Sequence, residues 1–275
     1  MKGKKSNIVI YILLVILAVI FLAPIFIILF NSFKGKLYIS DAPFKLPTAE
    51  TFVGVQNYID GLSKTGFLSA FGWSIFITFF STIVIVLFTS MTGWYITRAK
   101  NKVSTALYFI FVFSMIVPFQ MVMFTMSKVA NMLSLDNPIG LIVLYLGFGA
   151  GLSIFMFSGF VKSIPIDIEE AALIDGCNPI KTFFLIVLPL LKPICITVAI
   201  LNVMWIWNDY LLPSLVLKSD YKTIPMAVQY LRGGYGAIDM GAMMAVLVLA
   251  IIPIIIFYLT CQKYIIEGVA AGAVK

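Results

Sequence analysis

The sequence predicts an all-α integral membrane protein, with six spanning helices and a polar helical insert before the fifth. Three observations carry that prediction. Hydrophobic residues make up 61% of the 275 positions and charged residues 11%, for a mean hydropathy of +1.07, a balance outside that of water-soluble domains. Apolar runs long enough to cross about 30 Å of hydrocarbon as a helix, roughly 20 residues, recur along the chain. Between two of them lies EAALIDGCNPIKTFFLIVLP, Glu170 to Pro189, which places carboxylates, small residues and a turn glycine in a chain otherwise built for lipid.

The first span is predicted at 8–33. Its apolar run is too long for the hydrophobic region of a signal peptide and has no cleavage box, so it reads as a retained helix. The segment 34–66 is polar, contains prolines and is too long for a tight turn, which predicts an external cap. Charge-free runs at 67–97, 103–127 and 137–161 give spans two to four, and 240–262 gives the sixth. The fifth, at about 193–212, is flanked by Lys192 and contains Asp209 near one interface. The chain thus divides into an N-terminal helix with its external loop, 1–66, and a core, 67–275, with the insert at about 163–188.

Basic residues in short loops orient such a protein. Lys2, Lys4 and Lys5, and the loop with Arg98, Lys100 and Lys102, carry no acids, which puts both termini and the insert on the cytoplasmic side of a cell membrane. Loop bias and anionic lipid headgroups account for the net charge of +7 without a nucleic-acid partner.

Catalysis is hard to build from this inventory. The chain has no histidine, the usual general base and commonest metal ligand, and no phosphate-binding GxxxxGK[ST] loop. Glu169 and Glu170 are adjacent, so on a helix they diverge and cannot flank one bond. Cys177, Cys195 and Cys261 lack metal spacing. Ion-coupled transport requires ionisable groups deep in the membrane, yet the spans offer only Asp209 and Asp239, both near helix ends. The expectation is a non-enzyme, with no cofactor or metal of its own, that is powered from outside itself.

The insert reads as two short helices. Pro165 breaks the preceding span, Asp167 caps the next helix, and Glu169 and Glu170 occupy its first turn, where the helix dipole favours acids. Gly176 ends that helix at C′, and Asn178 with Pro179 opens another as cap and first residue. Ala171 and Ala172 leave a face thin enough to be clasped. A solvated amphipathic loop would have the same features.

The spacing Glu-Ala-Ala, three residues, Gly, nine residues, Ile-x-Leu-Pro, met by Glu170, Ala171, Ala172, Gly176, Ile186, Leu188 and Pro189, resembles the EAA loop of ABC importer permeases. WYITR at 94–98, MIVPFQ at 115–120, WNDYLLP at 207–213 and the tail EGVAAGAVK at 267–275 are similar to carbohydrate-uptake permeases of the maltose-transporter type, in particular the shorter, six-helix subunit. The resemblance implies the ABC type I importer permease fold, with the insert as a coupling helix that docks on a cytoplasmic ATPase through Glu170, Ala171, Ala172, Asp175 and Gly176. It also implies a second, homologous permease chain, two ATPase subunits that hold the ATP and Mg, and an extracellular solute-binding protein. Glu267, Gly268 and Gly272 in the tail become further coupling candidates. Arg232, Gly233, Gly234 and Tyr235, in a glycine-rich stretch that otherwise reads as a plain turn, become candidates for contact with the binding protein.

Sugars are held by planar hydrogen-bonding groups beside aromatic faces. Asn202, Trp205 and Asn208 on span five, Gln120 in span three and Tyr145 in span four are the cavity candidates, although interface anchoring and helix-to-helix hydrogen bonding would use the same residue types. The functional expectation is the permease subunit of an ATP-driven oligosaccharide importer. A permease for another delivered solute such as a glycerol phosphate, and a membrane sensor or scaffold that moves nothing, are the alternatives.

Overall fold

The computed structural model describes residues 2–231 and 239–273, with side chains for 8, 10–231 and 239–264. Among these residues the regular elements are helical: α1 (Lys2–Asn31), α2 (Lys36–Asp41), α3 (Gln56–Thr65), α4 (Phe67–Ala99), α5 (Lys102–Ser114), α6 (Phe119–Met132), α7 (Pro138–Val161), α8 (Asp167–Ile174), α9 (Pro179–Thr182), a π-helical turn (Phe183–Val187), α10 (Leu188–Leu190), α11 (Lys192–Asn208), α12 (Leu211–Val216), α13 (Ile224–Tyr230) and α14 (Met240–Ala273). Ile10–Asn31, Phe67–Ala99, Pro138–Val161 and Met240–Tyr264 are each long and apolar enough to cross a membrane, and two bent pairs raise the number to 6 if each pair is one span.

The bends depart from the continuous spans read from hydropathy. The run 103–127 is split into α5 and α6, which meet at 105°. Pro118 supplies the reason: it has no N–H to donate and disfavours helix at the residue before it, and it takes an extended backbone (φ −61°, ψ 135°) ahead of α6. The fifth run stops at Asn208 rather than 212. Asp209 turns to extended backbone, and its Oδ1 accepts from the N–H groups of Leu211, at 2.9 Å, and Leu212, at 3.4 Å, opening α12. At the other end, α11 is bent by 77° from the segment Pro179–Leu190.

The chain forms two compact units, Met1–Ala70 with Met226–Ile255 and Phe71–Pro225 with Ile256–Lys275. In the first, the segment after α1 is folded onto itself. The Asn57 amide donates to the carbonyls of Ser32 and Lys34, both at 2.8 Å, and the buried Lys34 ammonium donates to Ala42 O at 2.9 Å. Lys64 pairs with Asp239 at 2.6 Å, joining α3 to the residue that precedes α14.

The second unit is built on close helix approach. A Cβ on Gly93 of α4 would lie 2.8 Å from the Phe157 Cβ of α7, and one on Gly151 of α7 would lie 2.7 Å from Phe111 O of α5. Without a hydrophobic drive between helices in lipid, such small residues let backbones meet and gain dispersion contact. Phe157 and Val161 from the end of α7, and Ile164 just beyond it, pack with Phe183, Val187, Leu191 and Val198. This cluster seats the polar insert.

Candidate functional site

The insert folds as two capped helices. Ile166, not Asp167, is the residue before α8, and it provides no side-chain cap. Asp167 is instead the first helical residue and joins Glu169 and Glu170 in an acidic first turn, where each acid gains about 0.3–1 kcal/mol from the dipole. At the far end Gly176 is left-handed, φ 83°. Its N–H reaches Leu173 O at 3.1 Å and the Cys177 N–H reaches Ala172 O at 3.0 Å, the paired bonds of a Schellman motif. Asn178 then caps α9, its Oδ1 accepting from the Lys181 N–H at 2.8 Å, with Pro179 in the first turn.

The two adjacent carboxylates have opposite fates. Glu169 is 6% exposed. Trp94 Nε1 donates to its Oε2 at 2.8 Å, while Arg98 Nε and Nη2 donate to its Oε1 at 2.9 and 2.7 Å. Arg98 Nη2 also donates to Ile164 O at 2.9 Å. Glu170 points away and is exposed, with no side-chain partner among the described residues. The alanines divide in the same way: Ala171 is exposed, whereas Ala172 is 4% exposed and packs inward. They therefore do not share a thin outer face, because consecutive helical residues lie about 100° apart. The open face instead carries Asp167, Glu170, Ala171 and Ile174, at the i, i+3, i+4, i+7 spacing of one helix side, and Ile174 is 86% exposed. Asp175 and Gly176, also exposed, continue it at the turn. A large aliphatic side chain flanked by carboxylates on an open helix face suits a partner with an apolar pocket and a basic rim.

Glu169 had no special standing in the sequence beyond its place in the first turn. Its partners on α4 were visible only as a Trp and an Arg spaced i, i+4 in WYITR.

Of the cavity candidates, Tyr145 and Trp205 meet each other, and Asn202 and Asn208 are bonded elsewhere. Tyr145 is fully buried. Its OH donates to Asp209 Oδ2 at 3.0 Å, and its ring meets Trp205 edge-on, centroids 5.4 Å apart. Asn202 is buried and donates to Val198 O at 2.8 Å and to Ser153 Oγ at 3.3 Å, a helix-to-helix contact between α11 and α7. Asn208 is exposed and donates to Met204 O at 2.7 Å. Gln120, at the start of α6, is exposed without a partner among the described residues. Tyr145, Trp205 and Asp209 thus form one cluster, to which no hydrogen bond or ring contact among the described residues joins Gln120. Glu267, Gly268 and Gly272 lie on the helical backbone of α14, their side chains outside the described residues, as are Arg232, Gly233, Gly234 and Tyr235 altogether.

This arrangement, a capped acidic helix held against the end of a long apolar helix, falls within residues 88–270, which match the family described as binding-protein-dependent transport system inner membrane component. The chain belongs to that family. Such a permease works with a partner permease, an ATPase and a solute-binding protein, and it is a multi-pass membrane protein. Relatives extend over nearly the whole chain. It is 39% identical to the probable starch degradation products transport system permease protein AmyC of Thermoanaerobacterium thermosulfurigenes, over 95% of this chain and 94% of the relative. It is 35% identical to the multiple sugar-binding transport system permease protein MsmG of Streptococcus mutans, over 96% of each, and 31% identical to the melibiose/raffinose/stachyose import permease protein MelC of Bacillus subtilis, over 98% of each. Among solved structures, a chain of a bacterial ABC transporter involved in the import of the acidic polysaccharide alginate superposes with a TM-score of 0.79 at 25% identity, covering 96% of this chain and 98% of that one. The permease fold expected from the sequence is the fold observed.

Proposed function

We propose that this chain is a transmembrane permease subunit of an ATP-driven importer for an oligosaccharide or related sugar. It spans the cytoplasmic membrane with both termini and the α8–α9 loop on the cytoplasmic side, paired with a second, different permease and seated on two ATPase subunits that bind ATP and Mg. The observation that carries the coupling role is the split of the two carboxylates: Glu169 fastens α8 to its own chain, and Glu170 is left open beside Ile174. A docking helix needs one face held and one face presented. Glu170 and Asp175 are the polar contacts, with the backbone turn at Gly176 setting the loop's shape. The sugar class follows from relatives matched end to end whose names specify starch products, multiple sugars and raffinose-type oligosaccharides.

Closure of the ATPase pair would pull the loop and rock the helices between outward and inward access. In this reading the tail residues Glu267, Gly268 and Gly272 touch the same ATPase, and Arg232 to Tyr235 meet the binding protein. Asn208, Trp205 and Gln120 supply the solute-facing groups, with Tyr145 packed behind Trp205 and Asn202 tying α11 to α7. The domain division is the N-terminal helix and loop, 1–66, followed by the core, 67–275.

Proteoliposomes holding the full complex, with ATP inside and binding protein outside, test the reading. Labelled maltooligosaccharides or raffinose are expected to accumulate. Binding-protein-stimulated ATP hydrolysis without accumulation of any solute would instead identify a sensor, and accumulation of glycerol phosphate alone would replace the sugar.

A further inference from the structure

We propose that Trp94 and Arg98 are positioning residues that fasten the coupling loop to α4, so that loop movement enters the membrane through α4 as well as along the chain into α11, the helix that follows the loop in sequence. The proposal rests on the coupling reading above. Trp94 and Arg98 are four residues apart and share one side of α4. From that side they touch the loop at three places distant from one another in the chain. Arg98 donates to Ile164 O before α8 and to Glu169 within it. Trp94 donates to the other oxygen of Glu169 and lays its ring 5.5 Å from that of Phe183, after α9. The start, middle and end of the loop are therefore held by one helix face.

These contacts are mostly shielded from water. The side chains of Arg98 and Glu169 are 18% and 8% exposed, and charge-assisted bonds in a rigid guanidinium geometry resist reorientation. Behind the grip, the close approach at Gly93 packs the same end of α4 against Phe157 of α7. The covalent route onward is interrupted by comparison. Phe183–Val187 form a π-helical turn, with the Leu188 N–H bonded to Phe183 O, and a bend of 77° separates Leu190 from Lys192. Interruptions of the regular helical ladder of this kind are common at hinges and functional sites.

The test uses the assembled complex with Cys177, Cys195 and Cys261 replaced by Ser and a single reporter, Ile174→Cys on α8 or Ala99→Cys at the end of α4. Maleimide labelling rates are compared with and without MgATP and vanadate, together with sugar imported per ATP hydrolysed. With the grip intact, both reporters are expected to change rate. With Arg98→Ala and Trp94→Phe, Ile174→Cys is expected to respond still while the response at Ala99→Cys disappears, and the transport ratio falls by about tenfold, within the range by which coupling residues act. Arg98→Lys with Trp94 retained, which keeps a cationic donor toward Glu169 and Ile164 O, is expected to restore part of the Ala99→Cys response, which a general loss of structure would not allow. Should Arg98→Ala fail to assemble, Trp94→Phe alone, which keeps an aromatic ring toward Phe183 but loses the indole N–H bond to Glu169, reads the same comparison at smaller amplitude. An undiminished Ala99→Cys response in the broken grip overturns the proposal. A silent Ile174→Cys in the intact complex overturns the coupling reading itself.

Discussion

Replacing Gly176 by alanine separates the shape of the loop from its chemistry. The residue sits at φ 83° with nothing within 4 Å of where a Cβ would stand, so the added methyl group meets no neighbour and the cost is confined to the backbone. Holding an L-residue left-handed costs about 1–2 kcal/mol. At about 1.4 kcal/mol per factor of ten, that shifts opening of the Schellman turn by roughly 5- to 30-fold. Hydrogen exchange of the Gly176 and Cys177 amides in the assembled complex reads this directly, because both N–H groups are spent in the turn. Gly176→Ala is expected to speed their exchange by that factor, to leave α7 and α4 amides unchanged, and to lower the sugar imported per ATP. Gly176→Asn, whose side chain tolerates the left-handed region better, is expected to fall between alanine and the parent. Equal exchange in all three proteins would refute the claim that this turn depends on glycine.

Other consequences follow from individual contacts. Glu169→Ala leaves Arg98 largely buried without its counter-charge and is expected to cost roughly 3 kcal/mol, the low end for a broken buried pair because Arg98 keeps some exposure; thermal unfolding in detergent measures it. Tyr145→Phe removes the donor to Asp209 Oδ2 while the Oδ1 bonds to α12 remain, so a loss of about 1.5–3 kcal/mol is expected, with uptake affected less than stability. Asp239 is partly buried, which opposes ionisation, but hydrogen bonds from Lys64 and the Ala242 N–H prevail and hold its carboxyl below the usual carboxylate range. Hydrogen bonds to Asp239 and Asp60 hold Lys64 above its ordinary value. The carboxylate's stabilising share is therefore present above the normal carboxylate range and lost as pH falls through the depressed value, and the lysine's share is lost only as pH rises past its raised value. Protection of the α3 amides, taken relative to the intrinsic exchange rate at each pH, is expected to hold across neutral pH and to fall at the acid end. Asp239→Asn should abolish the acid limb, by a small and salt-sensitive amount because the pair is solvent-accessible.

Local signals were legible in the sequence and tertiary ones were not. Gly176, Asn178 and Pro179 act through the backbone within a few residues, so their roles could be read directly, and the apolar runs located every long helix. Hydropathy averages across backbone breaks, which hid the bend between α5 and α6 even though Pro118 was in view. The same blindness concealed the π-helical turn, whose residues FFLIV are indistinguishable from ordinary span. Asp167 looked like a cap because Asp usually is one; the helix begins one residue earlier, at the end of the turn that Pro165 starts. The inward role of Glu169 has no local signature. Its partners lie 75 and 71 residues away, and no local pattern announces that a first-turn acid faces inward while its neighbour faces out.

The contrast between these two glutamates supplies the most direct measurement: sugar imported per ATP hydrolysed in proteoliposomes carrying Glu170→Ala, with the thermal stability of the permease recorded beside it. The expected result is a permease within about 1 kcal/mol of the parent's stability, because Glu170 has no side-chain partner among the described residues and loses only its favourable place in the helix dipole, and import that collapses because the presented face no longer engages the ATPase. Normal ATP-driven import by Glu170→Ala, or import by the parent driven by an ion gradient without ATP, would contradict the coupling role.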